Sequence, residues 1–342
     1  MCGLVGVLQG SGLNELALNK NLTAMSDAIL HRGPDSSGVW TDSQRGVGLG
    51  HRRLSIVDLS PHGSQPMKSH TGRFVLVFNG EIYNHVAIRK EINELNLMSD
   101  KEPGFTWRGH SDTEVMLAAF ECWGVEESIK KFNGMFGFAV WDNSEKMLSL
   151  ARDRFGEKPL YYGLMNGTVL FGSELKALKC HPSWHGKIDR NSLALYMRHA
   201  YVPSPYSIFE GVSKLPAGAL LQIPMQESYE CLPLPVQYWS AKSLAEKGER
   251  EGFEGDDDAV VDALELLLTD AVGIRMAADV PLGAFLSGGI DSSLIVALMQ
   301  SQSTKPIKTF SIGFQEKSYN EAHYAKSVAG HLGTQHTELY VS

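Results

Sequence analysis

The sequence predicts two domains, a layered α/β sheet sandwich followed by a parallel, doubly wound α/β sheet. Three observations carry this. The chain has 342 residues, more than one ordinary domain needs. Over the first two thirds, strand-like and helix-like segments are grouped rather than alternating, the pattern of stacked sheets with helical layers. Beyond residue 258 strand and helix alternate strictly, which marks a parallel wound sheet.

Residues 2–9 (CGLVGVLQ) read as a strand interrupted by glycine. Residues 14–31 place Leu18, Leu22, Met25 and Ile29 at helical spacing, and Arg32-Gly33-Pro34-Asp35 stops that helix. The β-rich segments VGLGHRRLSIVD, RFVLVFNGEIYN, GMFGFAVWD and GTVLFGSE follow, with helical patterns in VAIRKEINEL and DTEVMLAAFECWG. Proline then recurs at 203, 205, 216, 224, 233 and 235, and the acidic run EKGEREGFEGDDD closes the region. A solvated linker is expected over 213–258, with Asp256, Asp257 and Asp258 a charged face rather than a metal site. After it come an amphipathic helix (AVVDALELLLTDAVGIRM), a strand (GAFLSGG), a helix (SSLIVALMQS), a strand (IKTFSIGF) and a helix (EAHYAKSVAGHLG). The expected division is 2–212, linker 213–258, and 259–342.

Composition narrows the function. The net charge of −8 gives no broad electrostatic reason to bind nucleic acid or an anionic membrane. No apolar run is long enough to span a bilayer, and a signal-peptide pattern is missing, so a cytoplasmic protein is expected. Four scattered cysteines, Cys2, Cys122, Cys180 and Cys231, form neither a disulfide framework nor a zinc site.

A first chemical site is suggested by MCG at the start of the chain. Removal of Met1 would give Cys2 both a thiol and a free α-amine. That amine, with an ordinary pKa of about 7.7–8.0, can serve as the thiol's own base. Three further stretches bear on it. In VFNGEIYN a strand is expected to end at Asn79-Gly80, where an amide and a glycine N–H could stabilise an oxyanion; an ordinary Asn-Gly turn is the plainer reading. In HRRLSIVD an arginine could clamp a carboxylate, but strand alternation lets only one of Arg52 and Arg53 serve. In GHSDTEV, Asp112 stands at a helix start, where capping is the plainer role.

Taken in order, MCGLVGV, HRGPDSSG, RLSIVD, QPM, FNGEIYN, GHSDTE, GMFGFAVWD and ARDRFGEKPLYY resemble the glutaminase domain of class II amidotransferases, and more narrowly the N-terminal half of glutamine-hydrolysing asparagine synthetases. The resemblance implies the N-terminal-nucleophile fold, a four-layer αββα sandwich. It implies that Cys2 attacks the glutamine carboxamide, with Asn79 and Gly80 as oxyanion hole. Arg53 would hold the substrate carboxylate and Glu81 and Asp112 its amine, with main chain around Ile56 and Val57 completing the pocket.

A second site is suggested by FLSGGIDSS, a glycine-serine turn between a strand and a helix that can aim N–H groups at an anion. It resembles the pyrophosphate-binding loop of ATP pyrophosphatases. That implies Ser287, Gly288, Gly289, Asp291 and Ser292 around the ATP phosphates, with Leu286 and Ile312 beside the nucleotide and Mg2+ accompanying it. Glutamine, aspartate and ATP are then the expected substrates. The reaction would activate aspartate as β-aspartyl-AMP and amidate it with ammonia from the first site. The second domain is shorter than the family's and lacks an SGEGSDE-like segment, so a truncated synthetase half is expected, with complete synthesis by this chain doubtful and an exposed edge permitting a homo-oligomer. The alternatives are an amidotransferase acting on another carboxylate, such as a surface-polysaccharide sugar acid, and a non-catalytic partner-binding fragment.

Overall fold

The computed structural model describes residues 1–10, 14–97, 106–316 and 320–341. The chain forms two compact units, Met1–Lys247 and Gly248–Ser342.

In the first unit, β1 (Gly3–Leu8) leads into α1 (Glu15–Asp27), whose N-terminus is capped by the Asn14 side chain. There follow β2 (Ser36–Asp42), β3 (Val47–Arg53), β4 (Met67–Lys68), β5 (Phe74–Ile82) and α2 (His85–Leu97). Next come α3 (Asp112–Lys131, broken at Gly124, φ 76°), β6 (Gly134–Asp142), β7 (Met147–Arg152), β8 (Tyr161–Met165) and β9 (Thr168–Gly172). The unit is completed by α4 (Leu175–Leu178), α5 (Arg190–His199), β10 (Val212–Lys214), β11 (Ala219–Pro224) and β12 (Val236–Gln237). The strands make two six-stranded sheets, β10-β8-β9-β1-β3-β2 and β12-β11-β7-β6-β5-β4, with every pairing between strands antiparallel.

Strand alternation sorts the side chains into three cores and so defines four layers. On β1, Leu4 and Leu8 face the other sheet, where they meet Val75 and Val77 of β5 and Trp141 of β6. Val5 and Val7 face the opposite way, onto Leu18, Leu22, Met25 and Ile29 of the α1 region. On β5, Phe74, Leu76 and Phe78 face Ile88 and Ile92 of α2 and Val115 to Phe120 of α3. The order is therefore helix, sheet, sheet, helix, the expected αββα sandwich.

The stretch 213–258 is not the linker that its prolines suggest. Ala219, Leu220, Leu221 and Ile223 are buried in β11, which pairs with β7 from Leu220 to Pro224. The prolines sit at strand ends and between strands, where a missing N–H costs nothing. The acidic end of this stretch contributes α6 (Ala241–Glu251), a helix with no buried residue.

In the second unit α7 (Asp257–Gly273) is capped by Asp256. β13 (Gly283–Phe285), α8 (Ile290–Ser301), β14 (Lys308–Phe314), α9 (Ala322–Leu332) and β15 (Gln335–Val341) follow. The three strands are parallel, in the order β13-β14-β15. Both crossover helices lie on one face, where Val296 of α8 meets Ala325 and Ala329 of α9 over Leu286. On β14 the alternate residues Phe310, Ile312 and Phe314 are all exposed. No helix among the described residues is long and apolar enough to cross a membrane.

Candidate active site

One cavity of about 90 Å³ is lined by Cys2, Arg53, Ile56, Val57, Asn79, Gly80, Glu81 and Asp112, all singled out in the sequence. Leu54, Gly63, Gln65, Met135 and Lys158 share the lining. The fold explains the convergence. Cys2 precedes β1, and Arg53 ends β3, its neighbour in the sheet. Asn79, Gly80 and Glu81 lie on β5 in the facing sheet, and Asp112 opens α3 packed against that strand.

The Asn79-Gly80 pair is not a turn, because β5 runs on to Ile82 with Asn79 opposite Gly137 and Gly80 opposite Phe136. A side chain at position 80 would put its Cβ 2.0 Å from the Met135 carbonyl oxygen, so only glycine allows this pairing. Backbone N–H groups of an antiparallel strand alternate in direction. Phe78 N–H points away from β6 and donates to Gln65 Oε1 at 2.6 Å, and Ile82 N–H likewise donates to Asp112 Oδ2 at 3.0 Å. Gly80 N–H lies between them on the same edge, without a partner among the described residues. Beside it the Asn79 Nδ2 group is buried and also unpartnered. Two donors unsatisfied side by side in a cavity is costly unless a ligand oxygen takes them.

The strand is held from both sides. His51, fully buried on β3, donates from Nε2 to the Phe78 carbonyl at 2.9 Å, and burial pushes its pKa down to about 4, so the ring is neutral. Gln65 also donates from Nε2 to Thr113 Oγ1 at 3.2 Å, tying the β5 edge to the start of α3.

Of the two arginines, Arg53 faces the cavity, while Arg52 turns to the opposite side of the strand and pairs with Asp27. The Arg53 guanidinium donates to the carbonyls of Val57 (3.4 Å), Ser60 (3.1 Å) and Asp58. No carboxylate forms an ion pair with it among the described residues, leaving a buried cation set on carbonyl oxygens.

Asp112 is not a cap; Ser111 accepts the N-terminal bond of α3 from Glu114. Burial raises the Asp112 pKa against hydrogen bonds from Ile82 and Thr113 N–H. Glu81 is raised too, by burial first and then by the Asp112 charge. Two carboxylates that oppose each other's ionisation make a ready seat for a cation.

The Cys2 sulfur lies 3.3 Å from Leu54 N, which donates to it, and burial pushes the thiol pKa up. Arg32 holds the Cys2 carbonyl at 2.9 Å. Such a site can grip an amino acid at both ends and set its side-chain carbonyl between a thiol and two unpaired donors. Sequence reasoning gave no role to Gln65, His51 or Lys158, although QPM, HRRLSIVD and EKPLYY were among the stretches singled out.

In the second unit Ser287, Gly288 and Gly289 form the turn from β13 into α8. Gly288 has φ 83°, and a Cβ there would lie 2.7 Å from Ala325 N. Ser287 Oγ and Ser292 Oγ lie 2.9 Å apart, and the Ser292 and Ser293 hydroxyls donate to the Gly289 carbonyl. Asp291 is exposed in the first turn of α8, Leu286 is buried beneath, and Ile312 lies on the bare face of β14. Among the described residues no group of three or more His, Cys, Asp and Glu could hold a metal ion.

Comparison with known proteins matches residues 1–239 to the glutamine amidotransferase domain and residues 263–342 to asparagine synthase. Asparagine synthetase [glutamine-hydrolyzing] 1 of Bacillus subtilis is 36% identical over all of this chain and 50% of its own length. A putative asparagine synthetase [glutamine-hydrolyzing] 2 of Methanocaldococcus jannaschii is 34% identical over 99% of this chain and 65% of its own. The chain thus spans 50% and 65% of the lengths of these relatives. A solved structure titled as the allosteric regulatory enzyme of purine biosynthesis superposes with a TM-score of 0.50 at 13% identity, over 99% of this chain and 80% of that one, a likeness of fold. With over two thirds of its length matched by that domain, the chain belongs to the glutamine amidotransferase domain family, and its C-terminal segment matches the asparagine synthase family.

Proposed function

We propose that the first unit hydrolyses glutamine to glutamate and ammonia. The observation that carries this is the cavity in which Cys2, the Arg53 cation held on carbonyls and paired with no carboxylate among the described residues, the unpaired Asn79 Nδ2 and Gly80 N–H, and the Glu81–Asp112 pair converge. After loss of Met1, the Cys2 α-amine takes the thiol proton as sulfur bonds to the glutamine Cδ. Asn79 and Gly80 hold the oxyanion. The C–N bond then breaks, and the nitrogen leaves as ammonia carrying the proton held by the α-amine. Water hydrolyses the thioester to glutamate and restores the thiol. Arg53 binds the substrate carboxylate and Glu81 and Asp112 its ammonium.

The second unit would contribute the phosphate-facing part of an ATP site through Ser287, Gly288, Gly289, Asp291 and Ser292, with Leu286 and Ile312 beside the nucleotide. Mg2+ would come with the phosphates, since hard cations bind there with few protein ligands and Asp291 is the acidic side chain at the turn. Together the two halves would carry aspartate activation and its amidation to asparagine, the activity named in the longer relatives. The test of the glutaminase reading is glutamate release by the purified chain, with the mature N-terminus read by intact mass. Release by a chain starting at Cys2 is expected; no release would overturn it. The synthetase reading is tested by adding glutamine, ATP and aspartate to a full-length relative and to this chain, and following asparagine.

A further inference from the structure

Lys158 is the buried cation that the proposed chemistry leaves unused. It is 6% exposed and lines the same cavity as Cys2. Its Nζ lies 3.6 Å from the Met1 sulfur, a weak acceptor, and among the described residues it forms no ion pair. When Met1 is removed, that contact goes with it.

The position is fixed by the loop before it. The buried Asp153 carboxylate accepts from the N–H groups of Phe136, Phe155, Glu157 and Lys158 at 2.9–3.1 Å. The Arg152 guanidinium donates to the carbonyls of Gly156 (2.5 Å), Lys158 (2.7 Å) and Leu215 (2.8 Å). So many bonds around six residues hold an ammonium where burial disfavours it, and its pKa is lowered accordingly. Such an arrangement needs a use.

We infer that the Lys158 ammonium holds the α-amine of processed Cys2 in its neutral, base-competent form and so sets the acid limb of glutamine hydrolysis. This rests on the glutaminase reading. A positive charge beside an amine disfavours its protonation. The groups that bear on this region are known. At the Met1 α-amine of the unprocessed chain burial lowers the pKa first, Arg32 and Lys158 act in the same sense, and the Cys2 thiolate and Asp35 act in the opposite sense. Glu81, Glu157 and Asp153 favour the charge on Lys158, and Asp112 and Arg53 act on the thiol. Lys158 acts through the amine and is a positioning residue rather than a catalytic one.

The test compares the full chain with Lys158→Met, which keeps the bulk, and Lys158→Arg, which keeps the charge. Intact mass establishes the N-terminus of each. The acid limb of kcat/KM for glutamate release is expected about one pH unit higher in Lys158→Met, a loss of about tenfold on the acid side that closes at high pH. Lys158→Arg should keep the wild-type limb. An unmoved limb in Lys158→Met, or an equal shift in Lys158→Arg, would overturn the inference. The α-amine is also titrated directly, by the pH dependence of its acylation with an anhydride. This reads the amine even if no glutamate is released, so failure of the glutaminase reading and failure of the Lys158 inference are separate results. A retained Met1 overturns the inference outright.

Discussion

The two units treat their sheets differently. In the first, each sheet is covered on both faces, by the other sheet and by helices, and the side chains of the cavity are held by bonds that cross layers. In the second, both crossover helices share one face, and α7 leaves Val260, Val261, Leu264, Leu266 and Leu267 exposed. The first unit thus holds the side chains of its cavity in a fixed geometry. The second offers a turn whose hydroxyls are engaged with one another and whose apolar faces lack the cover that parallel sheets ordinarily have.

The sharpest way to break that contrast is at the nucleophile. Cys2→Ala is expected to lower glutamate release by at least about 10³-fold while leaving the fold intact by circular dichroism. Undiminished release would show that the first unit's chemistry lies elsewhere. Packing comes next. Trp141→Ala, in the core between the two sheets, should destabilise the first unit by about 3–5 kcal/mol in denaturant unfolding. Asn79→Ala should lower kcat by about 10²–10³-fold with little change in KM, since it removes a donor that matters once the oxyanion forms. A change confined to KM would reassign Asn79 to ground-state binding.

A smaller effect concerns pH. Burial raises both Glu81 and Asp112, so protonation of this pair begins above the ordinary carboxylate range of about 4. KM for glutamine is therefore expected to rise as pH falls toward that range, and Glu81→Gln should move the onset to lower pH because the Asp112 carboxylate then loses a like-charged neighbour. Smallest of all, Leu267→Gln on the bare face of α7 should shift stability by less than about 0.5 kcal/mol. A loss of several kcal/mol there would mean that the exposed face is covered in solution.

Much of this was legible in the sequence, for identifiable reasons. The helix α1 was readable because 3.6-residue spacing survives tertiary context; Leu18, Leu22 and Met25 within it are buried, and so is Ile29, although the helix stops at Asp27, short of the expected residue 31. The Asn79-Gly80 pair misled, since local preference favours a turn there; pairing with Gly137 and Phe136 overrides it, and the glycine is needed for close approach rather than for a bend. The region 213–258 misled in the same way, proline density hiding the apolar run of β11. The choice between Arg52 and Arg53 turns on which face of β3 meets the other sheet, which alternation alone does not fix. Lys158 was unreadable for a further reason. Nothing local marks a lysine as buried, and its placement depends on Arg152 and Asp153 winding the loop around themselves.

The shortness of β4 has a consequence of its own. It covers β5 only at Val75 and Leu76, and the same register carried on would set Gln65 against Phe78 and Gly63 against Gly80. A strand border left open in this way is ordinarily a hazard, because its bare amides invite pairing with another chain. Here the border is rationed. Gln65 and Asp112 close the positions on either side, and the single amide left over lies inside a cavity too narrow for a foreign strand. Under the proposed reading the lure for aggregation becomes a receptor for one oxygen atom, and four more residues of β4, back to Gly63, would be enough to shut it.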